Sequence, residues 1–232
     1  MQFLPKPVRA LFVLVPLLAL AGCGGGSTQP STAVNGPAGQ KVDLTTKSAD
    51  APSETPQPEP DLLHPSFEID TTAGKITVRL DAEKSPLTVD NFRNYVTHHH
   101  YDLTIFHQVV KTPVQIVLGG AYTADLKEKP PLTPIRNEAH NGLKNHRGTI
   151  AMLRRADDED SATCQFFFNV ADNNVLDFKA RTSQGYGYCV FGEVTEGMDV
   201  LDQIAKAPLH DSGKFQGLPV ETVAIKSVRQ VR

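Results

Sequence analysis

The chain of 232 residues contains no tryptophan and three cysteines, and its formal charge is only -3. So weak a charge imbalance gives no argument for a nucleic-acid partner or an anionic surface. No internal repeat is visible, which removes solenoids and propellers. Serine and histidine are present, but never in a setting that resembles a nucleophilic triad. The acidic run Asp157-Asp158-Glu159-Asp160 lacks the spacing of a calcium loop. His98-His99-His100 are adjacent at the expected end of a helix, where neighbouring side chains diverge, unlike metal ligands four residues apart. No metal and no cofactor are expected.

The long apolar run Ala10–Leu20 is interrupted by Pro16 and is too short to span a bilayer comfortably. Lys6 and Arg9 precede it, and Leu20-Ala21-Gly22-Cys23 follows. This is the layout of a secretory signal ending in a bacterial lipobox. Residues 1–22 are therefore read as a lipoprotein signal peptide and Cys23 as the lipidation site. Paired lipid chains hold a protein on a membrane without spanning it. Residues 23–62 carry Gly24-Gly25-Gly26-Ser27 and then Pro52, Pro56, Pro58 and Pro60, and read as a disordered tether. The expected location is the bacterial cell envelope, lipid-anchored with the domain outside the cytoplasm, on the periplasmic face and at the outer membrane if the cell has two.

The folded domain is expected over 63–232. Phe67 and Ile69 alternate with polar residues, and so do Ile76, Val78 and Leu80 after a Thr-Ala-Gly turn, which gives two strands. Ser85-Pro86 has the signature of a helix start, with Ser as N-cap, and Val89, Phe92 and Val96 share one helical face. Strands are expected near 103–110, 114–119, 148–153, 164–170 and 187–194, with a loop rich in proline and charge at 125–147. A second helix is expected over Met198–Lys206, burying Val200, Leu201 and Ile204, and then a closing strand over Val220–Val231 bulged near Ser227. Many short strands and two helices point to a mainly β fold, a closed antiparallel β-barrel capped by two α-helices. Cys164 and Cys189 fall on strands and point away from the face of Gln165 and Phe167. They either remain buried free thiols or form a bridge.

One polar residue opens the apolar strand Gln165-Phe166-Phe167-Phe168-Asn169-Val170. It either faces water or binds a peptide backbone in a groove. Arg147-Gly148-Thr149-Ile150-Ala151-Met152, Asp160-Ser161-Ala162-Thr163, Gln165-Phe166-Phe167 and Phe191-Gly192, with Phe106-His107 upstream, resemble the cyclophilin family of peptidyl-prolyl isomerases, closest to its bacterial periplasmic type. The resemblance covers 66–232 and implies an eight-stranded barrel. It implies a monomer that binds proline-containing polypeptides and assists the folding of exported proteins.

By that resemblance Phe106 belongs to the pocket wall, Phe167 and Leu176 to the proline pocket, and Gln165 to the substrate backbone. His107 stands beside the catalytic position, Tyr188 at the rim, and Leu153 at a groove floor that is commonly lined by a smaller residue. Val175 stands where many members carry tryptophan. The catalytic position itself departs from the family. The motif Phe-His-Arg reads Phe106-His107-Gln108 here, and the segment up to Gly119-Gly120 is about two residues longer than usual. Leu118 stands where a glutamine commonly steadies the family arginine. The resemblance therefore implies an isomerase with weakened catalysis. Arg154 or Arg155 could substitute for the missing cation, or both could be solvated. The competing reading is a non-catalytic proline-binding chaperone or a scaffold lipoprotein.

Overall fold

The computed structural model describes residues 61–231. The expected signal peptide, Cys23 and nearly all of the tether lie outside them. Leu63 and Pro65 are bonded into the domain, since their carbonyls accept the amides of Ala82 and Leu80.

Ten strands and two helices follow in order: β1 (Ser66–Thr71), β2 (Lys75–Leu80), α1 (Pro86–Thr97), β3 (Thr104–Val110), β4 (Ile116–Thr123), β5 (Thr149–Met152), β6 (Phe166–Asn169), β7 (Val190–Glu196), α2 (Met198–Lys206), β8 (Leu209–Ser212), β9 (Phe215–Pro219) and β10 (Ile225–Gln230). Eight strands form one antiparallel sheet in the order β10-β1-β2-β7-β5-β6-β4-β3. Alternation buries Phe67, Ile69, Ile76 and Val78 completely. The bulge expected near Ser227 is present: Asp70 faces Ser227 and Thr71 faces Ile225, so Lys226 is the extra residue.

The barrel is nearly closed rather than closed. β3 and β10 meet only through the Ile105–Ala224 bridge and the amides of Leu103 and Phe106, which donate to the carbonyls of Ile225 (2.8 Å) and Val223 (3.0 Å). Beyond Phe106 the hairpin of β8 and β9 lies along β3 instead. Gly217, at φ +67°, sits so close to it that a Cβ would come within 2.5 Å of the Val109 carbonyl. This hairpin was not anticipated, because its sequence is mostly polar and its strands have little alternation. Ser212-Gly213, where β8 enters the turn at Gly213 and Lys214, was the available signal.

The helices supply the core. Phe92 of α1 stacks with Phe67, Tyr101, Phe166 and Phe191 at centroid separations of 5.1–5.7 Å. α2 buries Leu201 and Ile204, while Val200 is only half-buried. Ser85 occupies the N-cap position of α1 without a side-chain cap bond. Its hydroxyl instead donates to the Val190 carbonyl at 3.0 Å. The first-turn amides of Leu87 and Thr88 donate to the Glu138 carboxylate at 3.2 and 2.9 Å. A distant loop thus supplies both the acceptor and the negative charge that a helix N-terminus favours.

Candidate active-site groove

The strand register places the residues of the candidate groove. Gln108 pairs with Leu118, Leu118 with Phe167, Phe167 with Ala151, and Ala151 with Val190. Directly opposed residues in antiparallel strands share a face, so these five form one row across the barrel wall. The adjacent row of Phe106, Gly119, Phe166 and Met152 faces the interior.

Strict alternation would put Phe106 and Gln108 on the same face. They lie on opposite faces because β3 advances two residues, Phe106 to Gln108, while β4 advances one, Gly119 to Leu118. His107 is the extra residue of this bulge. Phe106, expected on the pocket wall, is therefore in the core: it is 1% exposed, and its ring lies 6.2 Å from Phe168. Gly119 makes room for it, since a Cβ there would lie 2.8 Å from the Phe106 ring.

Outside the barrel, Ile116, Leu118, Ala151, Phe167 and Val190 form an apolar cluster separate from the main core. Val110, Val114, Leu143, Leu153, Leu176 and Tyr188 pack against it partly buried. The structure thus brings Leu153, Phe167, Leu176 and Tyr188 together on the face that carries Gln108. Leu176 ends a 3₁₀ turn, and its carbonyl accepts the Tyr188 amide at 2.9 Å. The rings of Phe167 and Tyr188 meet at 5.7 Å and 79°. Val175 points away and is 59% exposed. Ile116 and Val110 were not anticipated on this face, because the longer β3–β4 connection obscured their alignment. That connection is pinned by buried Asn173, which donates to the Gln115 carbonyl and accepts the Gln115 amide, both at 3.0 Å.

Gln165 is half-buried just before β6, and its carbonyl accepts the Leu153 amide at 2.9 Å. Its side chain interacts with His107. The His107 ring is 4% exposed and packs edge-to-face on Tyr122 at 4.8 Å, with Phe215 of the β8–β9 hairpin at 6.3 Å. Burial pushes its pKa down to about 4, against the opposing pull of the Ile105 carbonyl and the Gln165 side chain; the Lys214 charge adds a smaller push in the same direction as burial. His107 is therefore a neutral ring at neutral pH, unsuited to replace a missing cation.

A pH prediction follows. The unfolded chain takes up a proton near the ordinary histidine value of 6.5, whereas the folded one resists until about 4. Stability should therefore fall as pH drops through that window, by up to ~3 kcal/mol from this group. Denaturant titrations should show a shallower loss between those pH values in His107→Gln than in the parent. An equal slope in the two proteins would refute the assignment.

Neither arginine that follows β5 is placed as a spare catalytic group. Arg155 is exposed and pairs with Asp158. Arg154 is 7% exposed and donates to four backbone carbonyls. Cys164 and Cys189 are buried free thiols. Cys164 lies in the main core, but Cys189 lies in a side cluster with Ala139 and Tyr186. His98 and His99 are exposed, and His100 packs on Tyr95 at 4.7 Å.

Residues 66–230 match the family described as cyclophilin type peptidyl-prolyl cis-trans isomerase/CLD. The peptidyl-prolyl cis-trans isomerase cyp18 of Streptomyces antibioticus is 46% identical over 164 residues, covering 71% of this chain and 97% of that one. Peptidyl-prolyl cis-trans isomerase B of Escherichia coli is 46% identical over 158 residues, covering 68% and 94%. A Cryptosporidium parvum cyclophilin type isomerase shares the fold, with a TM-score of 0.59 at 21% identity, covering 73% of this chain and 98% of that one. The same protein solved in the presence of the dipeptide Ala-Pro gives a TM-score of 0.58 at 20% identity, covering 72% and 99%.

The chain belongs to the cyclophilin family. It is a cyclophilin-type peptidyl-prolyl cis-trans isomerase, an enzyme that interconverts the two forms of the bond preceding proline.

Proposed function

We propose that this isomerase acts on X–Pro bonds of exported polypeptides, as a monomer held at the cell envelope by lipid on Cys23, and that its turnover is weakened by Gln108. The observation carrying this reading is the groove row itself: Phe167 and its apolar neighbours are in place beside a neutral amide at position 108, where the family motif has arginine.

The chemistry asks for little more than such a groove. Rotation about a peptide bond must overcome a barrier of ~18–20 kcal/mol set by its partial double-bond character. No nucleophile takes part. A pocket that grips the pyrrolidine ring supplies binding, and a donor that favours the twisted amide over the planar one lowers the barrier. The apolar walls around Phe167 suit the ring. The Gln108 amide can donate a neutral hydrogen bond, about half as strong as a charge-assisted one. A structural relative was solved in the presence of Ala-Pro, which suits the same occupant here.

Location and activity are tested separately. Radiolabelled palmitate fed to bacteria producing the full chain should label it, and Cys23→Ser should abolish the label. The purified full chain should accelerate cis-to-trans conversion of a short prolyl peptide. An unlabelled parent chain would overturn the anchoring, and conversion at the uncatalysed rate would overturn the catalytic reading.

A further inference from the structure

The geometry points to Arg154 as a positioning residue for the proline pocket, acting through Gly187 on Tyr188 and Leu176. Its guanidinium is buried, and among the described residues no carboxylate lies within salt-bridge distance of it. Nε donates to the Gly187 carbonyl at 2.9 Å, Nη1 to the carbonyls of Arg155 (2.8 Å) and Ala156 (3.2 Å), and Nη2 to that of Ser183 at 2.7 Å. Four acceptors from two separate loops converge on one planar fork. Such a fork can satisfy them together, whereas an ammonium has three donors and no plane.

The consequence reaches the groove in two short steps. Gly187, at φ +74°, is pressed against the backbone that carries Leu176: a Cβ there would lie 2.7 Å from the Leu176 carbonyl and 2.6 Å from the Phe178 nitrogen. Its own carbonyl also accepts Asn137 Nδ2 at 3.2 Å. The next residue, Tyr188, returns its amide to the Leu176 carbonyl. The Arg154 guanidinium then lies 5.1 Å from the Tyr188 ring centroid, and that ring meets Phe167. Arg154 thus holds from behind the segment on which two pocket side chains stand. It touches no reacting atom.

A group that shapes the pocket equally for the planar and twisted amide alters KM and leaves kcat largely intact. Arg154→Lys in the full chain is therefore expected to raise KM for a prolyl peptide about tenfold, with kcat changed less than about threefold. The chain has five tyrosines and no tryptophan, so fluorotyrosine labelling gives few ¹⁹F signals, and loss of one in Tyr188→Phe identifies Tyr188. That signal should shift in Arg154→Lys. A folded Arg154→Lys with parental KM and an unmoved Tyr188 signal overturns the role, even if its melting temperature falls.

The inference rests on the groove being the prolyl site, which the parent protein tests without any variant at position 154. Saturating prolyl peptide should shift the Tyr188 signal and slow exchange of the Arg154 Nε proton. A Tyr188 signal indifferent to peptide overturns the groove assignment and the Arg154 role with it. A Tyr188 response with no change in Arg154 proton exchange overturns the Arg154 role alone.

Discussion

Gln108→Arg is expected to raise kcat/KM on a prolyl peptide by roughly tenfold, and by no more than about seventyfold. Gln108 is half-buried on the face of the outer apolar cluster, paired with Leu118, which lies between it and Phe167 two strands away. An arginine there would project from the same backbone position toward the same pocket. Replacing a neutral donor by a cation exchanges an ordinary hydrogen bond, ~0.5–1.5 kcal/mol net, for a charge-assisted one of ~1.5–3 kcal/mol. Each ~1.36 kcal/mol of extra transition-state stabilisation is tenfold in rate. Leu118 limits the gain, because an apolar side chain cannot orient the guanidinium, so the lower part of the range is expected first. The gain should appear in kcat rather than KM, since the donor matters most when the amide is twisted. A coupled proteolysis assay on parent and variant measures both. A variant with unchanged kcat would show that Gln108 is not what restrains turnover.

Phe167→Ala is expected to lower stability by about 3–5 kcal/mol and to eliminate measurable prolyl binding. Phe167 is 1% exposed and is the one aromatic among the five buried members of the outer apolar cluster, so its removal forfeits burial and leaves a cavity. That loss is a large share of a small domain's total stability, so binding should be measured at low temperature, after denaturant titration has established the folded fraction. The neighbouring Phe168→Ala is the control. Phe168 is fully buried in the main core on the opposite face. It should cost a similar amount of stability while the folded fraction still binds peptide. Retained binding in folded Phe167→Ala would exclude this face as the prolyl site.

These two neighbours also show how much was legible in advance. Along β6 the alternation is unbroken, so Phe167 and Phe168 could be assigned to opposite faces from their positions alone. Along β3 the same rule fails. A single bulge at His107 reverses the phase between Phe106 and Gln108, and nothing local in Phe-His-Gln announces it. The bulge is required by the partner strand, where Gly119 leaves the space that the Phe106 ring fills. The α1 N-terminus is a similar case. Ser85-Pro86 located the helix start correctly, yet the acceptor for its amides is Glu138, fifty residues away.

Apart from the β8–β9 hairpin, residue order alone determined which segments become strands and helices and which side of most strands is apolar, because a period of two or 3.6 is written into neighbouring residues. Only the tertiary structure decided that the barrel stays open along part of one seam, that Phe106 turns inward, and that Arg154 is buried beside the Tyr188 ring rather than solvated. Each of these depends on groups far apart in the chain competing for one space or one set of carbonyl oxygens. Such competition is settled by packing and hydrogen-bond satisfaction in three dimensions, and it leaves no local periodicity to read.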